Sequence, residues 1–453
     1  MKSIHAHRNN YAFLTSASIP RVVGTLSVPT IVTMLTSSLY SVADTYFVSG
    51  IDTQATAAVG VGFAVLAIMQ ATGFFFGHGS GNYISRSLGA HHRREAASMA
   101  STGFVLAVLA GLLLTLVGEM LLTPMCVWLG STPTVLPYTE QYLGILLLCA
   151  PLHVGSMTLN NQLRFQGNAT LAMTGIVVGT LVNLILDPVL IFACHMGIQG
   201  AALATVLGYA CSFATLLLMT RQSGCLHLSL RRFSPTPVLL RAIVDGGTPS
   251  LTRQGLGSVA TILLNVAAAR YGDAAIAAMS IVGRTSFVIN SVVVGFGQGF
   301  QPLCGFSYGA GLYDRVRRAY WFCVRFSTVF LVVCSVVGWI FAPDVIGLFR
   351  NDAEVVEIGT AALRWQLLSL PLCGFIILSN MMMQTINMPL RANLLAAARR
   401  GLFFIPLILL LPLWLGVVGV EACQTVSDVC SFALAVPIIW SVFRTMRNNL
   451  VKK

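Results

Sequence analysis

Long apolar runs recur from one end of this 453-residue chain to the other. Hydrophobic residues make up 56% of the sequence and charged residues only 9%, whereas a soluble domain has about 25% charged residues. A run of about 20 apolar residues matches the thickness of a bilayer core, where a helix satisfies all of its own backbone hydrogen bonds. The pattern therefore predicts an all-α polytopic membrane protein.

Twelve apolar segments are predicted to form transmembrane helices. They fall at residues 23–49, 55–83, 97–121, 138–161, 169–193, 199–219, 245–270, 274–302, 320–342, 358–382, 394–416 and 420–443. A polar stretch at 222–241 separates the sixth segment from the seventh. We interpret it as a cytoplasmic linker between an N-terminal six-helix lobe, 1–221, and a C-terminal six-helix lobe, 242–453.

The formal net charge of +12 raises the question of nucleic acid, but the placement of the basic residues argues against it. Arginine and lysine cluster in every second gap between apolar segments: at 86–94, 164, 221–241, 315–318, 391–400 and 444–453. This alternation follows the positive-inside rule, so these gaps and both termini are expected to be cytoplasmic. The eleven cysteines form no C-x-x-C pair, and neither a metal centre nor a disulfide framework is expected.

The two halves of the chain repeat one another. The offset that places Pro29 on Pro249 also places, without gaps, Gly77 on Gly297, Gly79 on Gly299, Ser87 on Ser307 and Gly89 on Gly309. We call it the repeat offset. Because each half has six predicted helices, the repeats share one orientation in the membrane. We expect an axis along the membrane normal to relate them, with a cavity between the two lobes.

Two aspartates break this repeat. The repeat offset places Asp44 on Leu264, and a slightly shorter offset near the end of the half places Asp187 on Ile405. A carboxylate within lipid is expensive, so its presence favours a functional site. A purely structural role is the alternative, but the second copy of the scaffold lacks both acids. We therefore interpret Asp44 and Asp187 as functional residues.

Other polar residues are predicted to lie near the two acids. By helical rise, Asp44 and Asp187 each lie about 8 Å below the outer membrane boundary. Tyr40 and Asn183 stand one turn deeper on the same faces, while Thr205 and Tyr142 fall at a similar depth on helices six and four; Pro29 can loosen helix one. Two close carboxylates in low dielectric favour either a bound proton or a bound cation such as Na⁺, and the sequence leaves this choice open.

The C-terminal half carries a different set of charges. Arg284 of helix eight and Asp428 of helix twelve match in depth, and we expect them to pair directly or through water, since an unpaired arginine there is costly. Arg253 of helix seven has no obvious partner. An ion-paired lobe is the preferred interpretation of these three cavity-side charges, and binding of an anionic or zwitterionic substrate is the alternative.

At these residues the chain resembles the multidrug and toxic compound extrusion (MATE) family, in its DinF-like and MepA-like branch, over essentially its whole length. The residues that carry the resemblance are Pro29, Tyr40, Asp44, Tyr142, Asn183, Asp187, Pro188 and Thr205, together with RFQGNA at 164–169 and GQGFQPLCGFSYGAG at 297–311. The resemblance implies that Asp44, Asn183, Asp187 and Thr205 form a coupling-ion site, and that Pro29 and Tyr40 belong to a bend in helix one. The NorM-like branch has acids in helices seven, eight and ten, where this chain has Arg253, Gln254, Arg284 and Gln384.

The resemblance implies a monomeric antiporter in the plasma membrane of a bacterium or archaeon. It would export small amphipathic compounds, organic cations or zwitterions, in exchange for H⁺ or Na⁺, with no other cofactor. A flippase for lipid-linked precursors is the alternative, favoured by Arg253 and Arg284. An intramembrane aspartyl enzyme is a third, weaker hypothesis, because no G-x-G-D-like context surrounds either acid. The absence of a G-x-x-x-x-G-K-[ST] motif argues against direct ATP drive.

Overall fold

The structure is a computed structural model that describes residues 10–222, 224–349 and 352–451. The side chains of residues 39–42, 45 and 449–451 lie outside that description. The described residues form helices joined by short connections, with no strand among them. The all-α prediction is therefore confirmed.

Twelve long helices, here α1 to α12, make up the described part of the chain. In the N-terminal half they are α1 (Ile19–Ser49), α2 (Thr53–Gly89), α3 (Arg93–Met120), α4 (Leu136–Leu148 and Ala150–Phe165), α5 (Ala169–Pro188, continued by a π-helical turn over Val189–Ala193) and α6 (Gly197–Met219). In the C-terminal half they are α7 (Pro237–Ala269), α8 (Asp273–Gly309), α9 (Tyr313–Ile340), α10 (Ala353–Thr385), α11 (Pro389–Ala397, a π-helical turn over Ala398–Leu402, and Phe404–Leu415) and α12 (Val417–Val451). Short helices over Leu122–Trp128 and Ala342–Phe349 follow α3 and α9.

By length and composition, 10 helices of the described chain are able to cross a membrane, or 11 when the two segments of α4 count as one span. The segments of α4 are bent by 51° relative to each other, where the sequence predicted one straight helix. Pro151 stands in the first turn of the second segment and cannot donate a backbone hydrogen bond to the first. The break therefore has a local cause in the sequence.

Helix α7 also differs from its prediction, because it begins at Pro237 rather than at 245. The Thr236 hydroxyl caps this helix by accepting a hydrogen bond from the Leu239 amide at 3.4 Å, and Pro237 occupies the first turn. A threonine cap followed by proline is a standard helix start. The helical part of the chain thus extends into the predicted 222–241 linker.

The packing follows the predicted repeat. Helix α1 packs on α8 and α2 packs on α7, and the repeat offset converts one of these pairs into the other. Matching side chains make matching bonds: Asn160 donates to the Ala172 carbonyl at 2.8 Å, and Asn380 donates to the Ala392 carbonyl at 2.7 Å. The two halves are therefore pseudo-symmetric in their contacts as well as in their sequence.

The two lobes meet closely at the end of the bundle predicted to be cytoplasmic. A Cβ atom added to Gly89 would collide with the carbonyl oxygen of Phe306, and one added to Gly309 would collide with the carbonyl oxygen of Arg86. The repeat offset relates these two contacts, since it places Gly89 on Gly309 and Arg86 on Phe306. Glycine at both positions lets the backbones of α2 and α8 touch. We call this pair of contacts the glycine crossing.

A polar network also joins the two lobes, about three turns of α2 and α8 away from the glycine crossing. Arg164 is buried and hydrogen-bonds Gln298 of the other lobe, as well as His78 and Asn161 of its own. His78 in turn contacts Ser250 of the other lobe at 3.1 Å. Because a buried guanidinium needs its donors satisfied, this network favours lobes that are joined at this end.

Candidate functional site

The N-terminal lobe holds both predicted acids in its interior. Asp44 on α1 is 2% exposed, and Asp187 near the end of α5 is fully buried. Helix α1 packs on α5, and α5 packs on α6. Asn183, Thr205 and Tyr142 are also buried in this lobe. Five of the six predicted coupling-site residues therefore lie in the interior of one lobe; the sixth, Tyr40, has a side chain outside the described residues.

The polar groups of this cluster are close to one another. Asn183 Nδ2 lies 3.5 Å from Asp187 Oδ1 and 3.3 Å from Thr205 Oγ1. Asp44 is buried on α1, which packs on the helix α5 that carries Asp187. The cluster thus joins α1, α4, α5 and α6.

Several oxygen atoms of this cluster are buried without a hydrogen-bond partner among the described residues. They are Asp44 Oδ1, Asp187 Oδ2, Asn183 Oδ1 and the Tyr142 hydroxyl. Carboxylate, amide and hydroxyl oxygens are suitable ligands for a hard monovalent cation, and a carboxylate is also a site for a proton. The donor set therefore fits either H⁺ or Na⁺.

Small residues and a proline set the position of these groups. A Cβ atom added to Gly208 would lie 2.8 Å from the Gly179 carbonyl and 2.9 Å from the Asn183 Cβ, so α5 and α6 cross at close range there. This crossing brings Asn183 against Thr205. Pro188 follows Asp187 directly, and the π-helical turn over Val189–Ala193 begins after it. A missing amide at proline and a π-helical turn both loosen the regular helix beside the acid.

Helix α1 continues as an α-helix through Pro29. The Thr33 hydroxyl donates to the Pro29 carbonyl at 2.9 Å. Close to the proline, Thr30 donates to the Gly295 carbonyl of α8 at 2.6 Å and Ser27 donates to the Phe296 carbonyl at 3.2 Å. Pro29 therefore lies where the inner part of α1 is fastened to the other lobe.

A cavity of about 320 Å³ lies next to the acid cluster. Its volume is within the usual range for small-molecule sites. Asn183 and Thr205 belong both to the cavity wall and to the acid cluster. Other polar side chains in the wall include Thr33, Ser37, Gln70, His153, Asn160 and Tyr209. Phe287 and Ser291 of α8 are its lining residues from the other lobe.

The sequence analysis did not single out His153, which lines this cavity. Its ring lies 4.2 Å from the ring of Tyr209, and its Nδ1 atom is buried without a hydrogen-bond partner among the described residues. The available signal was a histidine two residues after Pro151 within an apolar segment. His153 contributes to the cavity wall, and a buried polar atom without a partner calls for an explanation.

The prediction of a direct ion pair between Arg284 and Asp428 is wrong. Asp428 is buried and pairs with Arg399, whose Nε atom lies 2.7 Å from Asp428 Oδ1. Gln424 donates to the same oxygen at 2.8 Å, and Ser369 donates to Oδ2 at 3.1 Å. The sequence analysis counted Arg399 with the cytoplasmic basic cluster at 391–400, although the residue also falls within the predicted helix 394–416. In the structure Arg399 lies in the π-helical turn of α11, and its side chain reaches Asp428 of α12.

The other two predicted cavity charges are placed differently from each other. Arg253 is half-buried, and its Nη1 atom donates to Asn380 Oδ1 at 2.9 Å. Arg284 is exposed on α8 and makes no hydrogen bond or ion pair within the described chain. Arg253 thus has a neutral partner in its own lobe, whereas Arg284 has none there.

Comparison with known proteins identifies two matching regions in this chain. The MatE family model matches residues 29–189 and again residues 249–410. The second match begins at Pro249, the proline that the repeat offset aligns with Pro29. The family model therefore corresponds to one copy of the internal repeat.

Full-length relatives and solved structures agree with this match. The chain is 26% identical over 441 residues to the multidrug export protein MepA of Staphylococcus haemolyticus, covering 97% of this chain and 96% of the relative. It is 27% identical to MepA of Staphylococcus aureus strain MSSA476, covering 90% of each. A MATE family transporter of the MOP superfamily, solved in an outward-facing conformation, superposes with a TM-score of 0.90 at 24% identity, covering 96% of this chain and 98% of that one. That likeness extends to the whole fold, twelve helices in two lobes.

Proposed function

We propose that this chain, which belongs to the MatE family, works as a secondary active efflux antiporter. It is a multidrug efflux transporter by family. In our proposal it exports small amphipathic organic compounds in exchange for H⁺ or Na⁺, which binds at Asp44 and Asp187. It acts as a monomer in the bacterial or archaeal inner membrane with both termini in the cytoplasm, and it is not an enzyme.

One observation carries the proposal: Asn183 and Thr205 are shared by the acid cluster and the cavity wall. An ion that binds to Asp187 changes the hydrogen bonding of Asn183, and hence the polarity and shape of the wall that faces a substrate. A ligand in the cavity likewise restricts Asn183. The two binding events are therefore coupled through one side chain, which is the requirement for exchange of ion against substrate.

Helix α1 provides the moving part in this proposal. Its inner part is fastened to α8 through Ser27 and Thr30, whereas Thr33 and Ser37 line the cavity and Asp44 lies further out. Pro29 lies within the fastened part, between Ser27 and Thr30, and one turn before the cavity-lining Thr33. It lacks the amide that would stiffen the helix there. When an ion neutralises the acids, the outer part of α1 bends at Pro29 and narrows the cavity. The substrate then leaves toward the outer side.

A flippase for lipid-linked precursors remains a second candidate function. It is supported by Arg253 and Arg284, because such precursors carry phosphate groups that arginine binds well. The acid pair has no role in that mechanism, so a lipid-flipping assay in proteoliposomes separates the two candidates.

The main test is export of a cationic dye by proteoliposomes under a pH gradient or a Na⁺ gradient imposed separately. We expect one of the two gradients to drive export by the wild type. The double variant Asp44→Asn with Asp187→Asn should lose gradient-driven export but still bind the dye. Asp245→Asn is the matched control, since this carboxylate lies on α7 beside Arg241, at 3.7 Å, outside the acid cluster. Full gradient-driven export by the double variant would overturn the mechanism.

A further inference from the structure

Arg284 lies on the face of α8 that looks toward the N-terminal lobe. Phe287 and Ser291 follow it by three and seven residues, and both line the cavity. Residues at this spacing share one face of a helix. The side chain of Arg284 is exposed, and a Cβ atom added to the adjacent Gly283 would meet nothing within 4 Å. Arg284 therefore borders open space at the rim of the cavity.

The level of Arg284 can be compared with that of the acids. Arg284 stands one turn before Phe287 on α8, toward the end of the helix that is farther from the glycine crossing. Asp187 stands one turn from Asn183, also on the side away from the glycine crossing. Phe287 and Asn183 line the same cavity, so Arg284 and Asp187 each stand one turn outward from a cavity-lining residue, in opposite lobes. The acid cluster thus lies next to one wall of the cavity and Arg284 lies near the wall that α8 forms, while the lining itself consists of uncharged residues and His153.

The charge of Arg284 has no acid to compensate it within the described chain. The carboxylate that the sequence suggested, Asp428, is engaged by Arg399. A guanidinium at membrane depth is costly without a partner, and it binds a carboxylate through two parallel hydrogen bonds. An exposed arginine one turn from a cavity-lining residue, without a protein partner among the described residues, has the properties of a ligand-binding group.

We propose that Arg284 binds the anionic group of the substrate, so that the chain selects amphipathic zwitterions over monocations with the same body. The cationic end of such a molecule lies toward Asn183 and Thr205, in the field of the two acids. Its carboxylate lies on Arg284. This inference rests on the proposed export function and adds the substrate class to it.

Rhodamine B and its ethyl ester provide a matched pair of probes. They share one ring system, but rhodamine B carries a free carboxylate at neutral pH and the ester is a monocation. Binding to the purified transporter is measured by fluorescence anisotropy without any ion gradient. We expect the wild type to bind the acid about tenfold more tightly than the ester, which corresponds to one charge-assisted hydrogen-bonded contact.

The variant Arg284→Gln should bring the two affinities to within about threefold of each other, mainly through weaker binding of the acid. Arg284→Lys, which keeps the charge, should restore part of the preference. Arg364→Gln is the control, because this arginine of the same lobe lies over the Trp339 ring, 5.5 Å from its centroid. The Arg364→Gln variant should show the same ratio of affinities for rhodamine B and its ester as the wild type.

Equal binding of acid and ester by the wild type would overturn the inference, and this result does not depend on how any variant folds. An unchanged preference in a folded Arg284→Gln protein would overturn it as well. The binding assay is independent of the ion gradient. If the wild type shows no preference for rhodamine B over its ester while gradient-driven export is intact, only the role of Arg284 is rejected. If the preference is present but export is not driven by either gradient, only the antiport mechanism is rejected.

Discussion

Arg399 and Asp428 form a buried ion pair inside the C-terminal lobe, with 2.7 Å between Arg399 Nε and Asp428 Oδ1. The pair joins α11 to α12 beside the π-helical turn that carries the arginine. Replacing one partner leaves the other as an uncompensated charge. The two residues should therefore depend on each other for the stability of the lobe.

We expect Arg399→Gln or Asp428→Asn alone to destabilise the protein by about 3–5 kcal/mol. The double variant replaces both charges with neutral amides, and it should be less destabilised than the sum of the single variants. Thermal unfolding of the purified protein in detergent measures this coupling. Additive effects of the two substitutions would show that the ion pair has no energetic role.

The glycine crossing gives a prediction about conformation. Gly89→Leu places a side chain against the Phe306 carbonyl and should force the lobes apart at that end. Cys304 is a suitable reporter, because it is buried next to this contact on α8. In a background without the other cysteines, maleimide should label Cys304 several-fold faster in the Gly89→Leu variant.

Gly24→Ala is the control for this experiment, since a Cβ atom there would meet nothing within 4 Å. It should leave the labelling of Cys304 unchanged. Equal labelling rates in the wild type and in Gly89→Leu would mean that the crossing does not hold the lobes together.

Thr205 supplies a prediction about coupling. Its hydroxyl lies 3.3 Å from Asn183 Nδ2, and Thr205→Ala removes that contact. We expect about a fivefold to tenfold lower initial rate of gradient-driven export, in line with the loss of one buried hydrogen bond. Thr205→Ser keeps the hydroxyl and should retain most of the rate. A normal rate in Thr205→Ala would remove this residue from the coupling path.

His153 gives a prediction about the cavity alone. His153→Phe preserves a ring beside Tyr209 but removes the polar Nδ1 atom from the wall. Affinity for the probe dyes should fall about threefold to tenfold, the range for loss of one hydrogen bond. The number of ions exchanged per dye molecule should remain constant. A changed stoichiometry in reconstituted vesicles would indicate that His153 takes part in ion coupling.

The arrangement of the fold was predictable because it rests on patterns along the chain. Apolar segment length predicted the helices, and the spacing of prolines and glycines predicted the repeat. The glycine crossing shows why that spacing is informative: Gly89 and Gly309 are required where two backbones touch. A close backbone contact that accepts only glycine can be recognised in the sequence by the glycine that it requires.

The partners of charged side chains were less predictable. Arg284 and Asp428 match in depth along their helices, but depth does not determine the direction in which a side chain points. The cavity wall was missed for the same reason, since it depends on how α4, α5 and α6 are rotated about their axes. The bend of α4 contributes to this, because it redirects His153 and the residues that follow it.

The pseudo-symmetry axis exchanges the two contacts of the glycine crossing, so the two halves contact each other through equivalent surfaces. Such an isologous interface is the kind by which two identical subunits form a dimer. It implies that either half retains the shape needed to pair with a copy of itself. An N-terminal half paired in this way would carry both acids twice, whereas the C-terminal half of this chain has Leu264 and Ile405 at the matching positions.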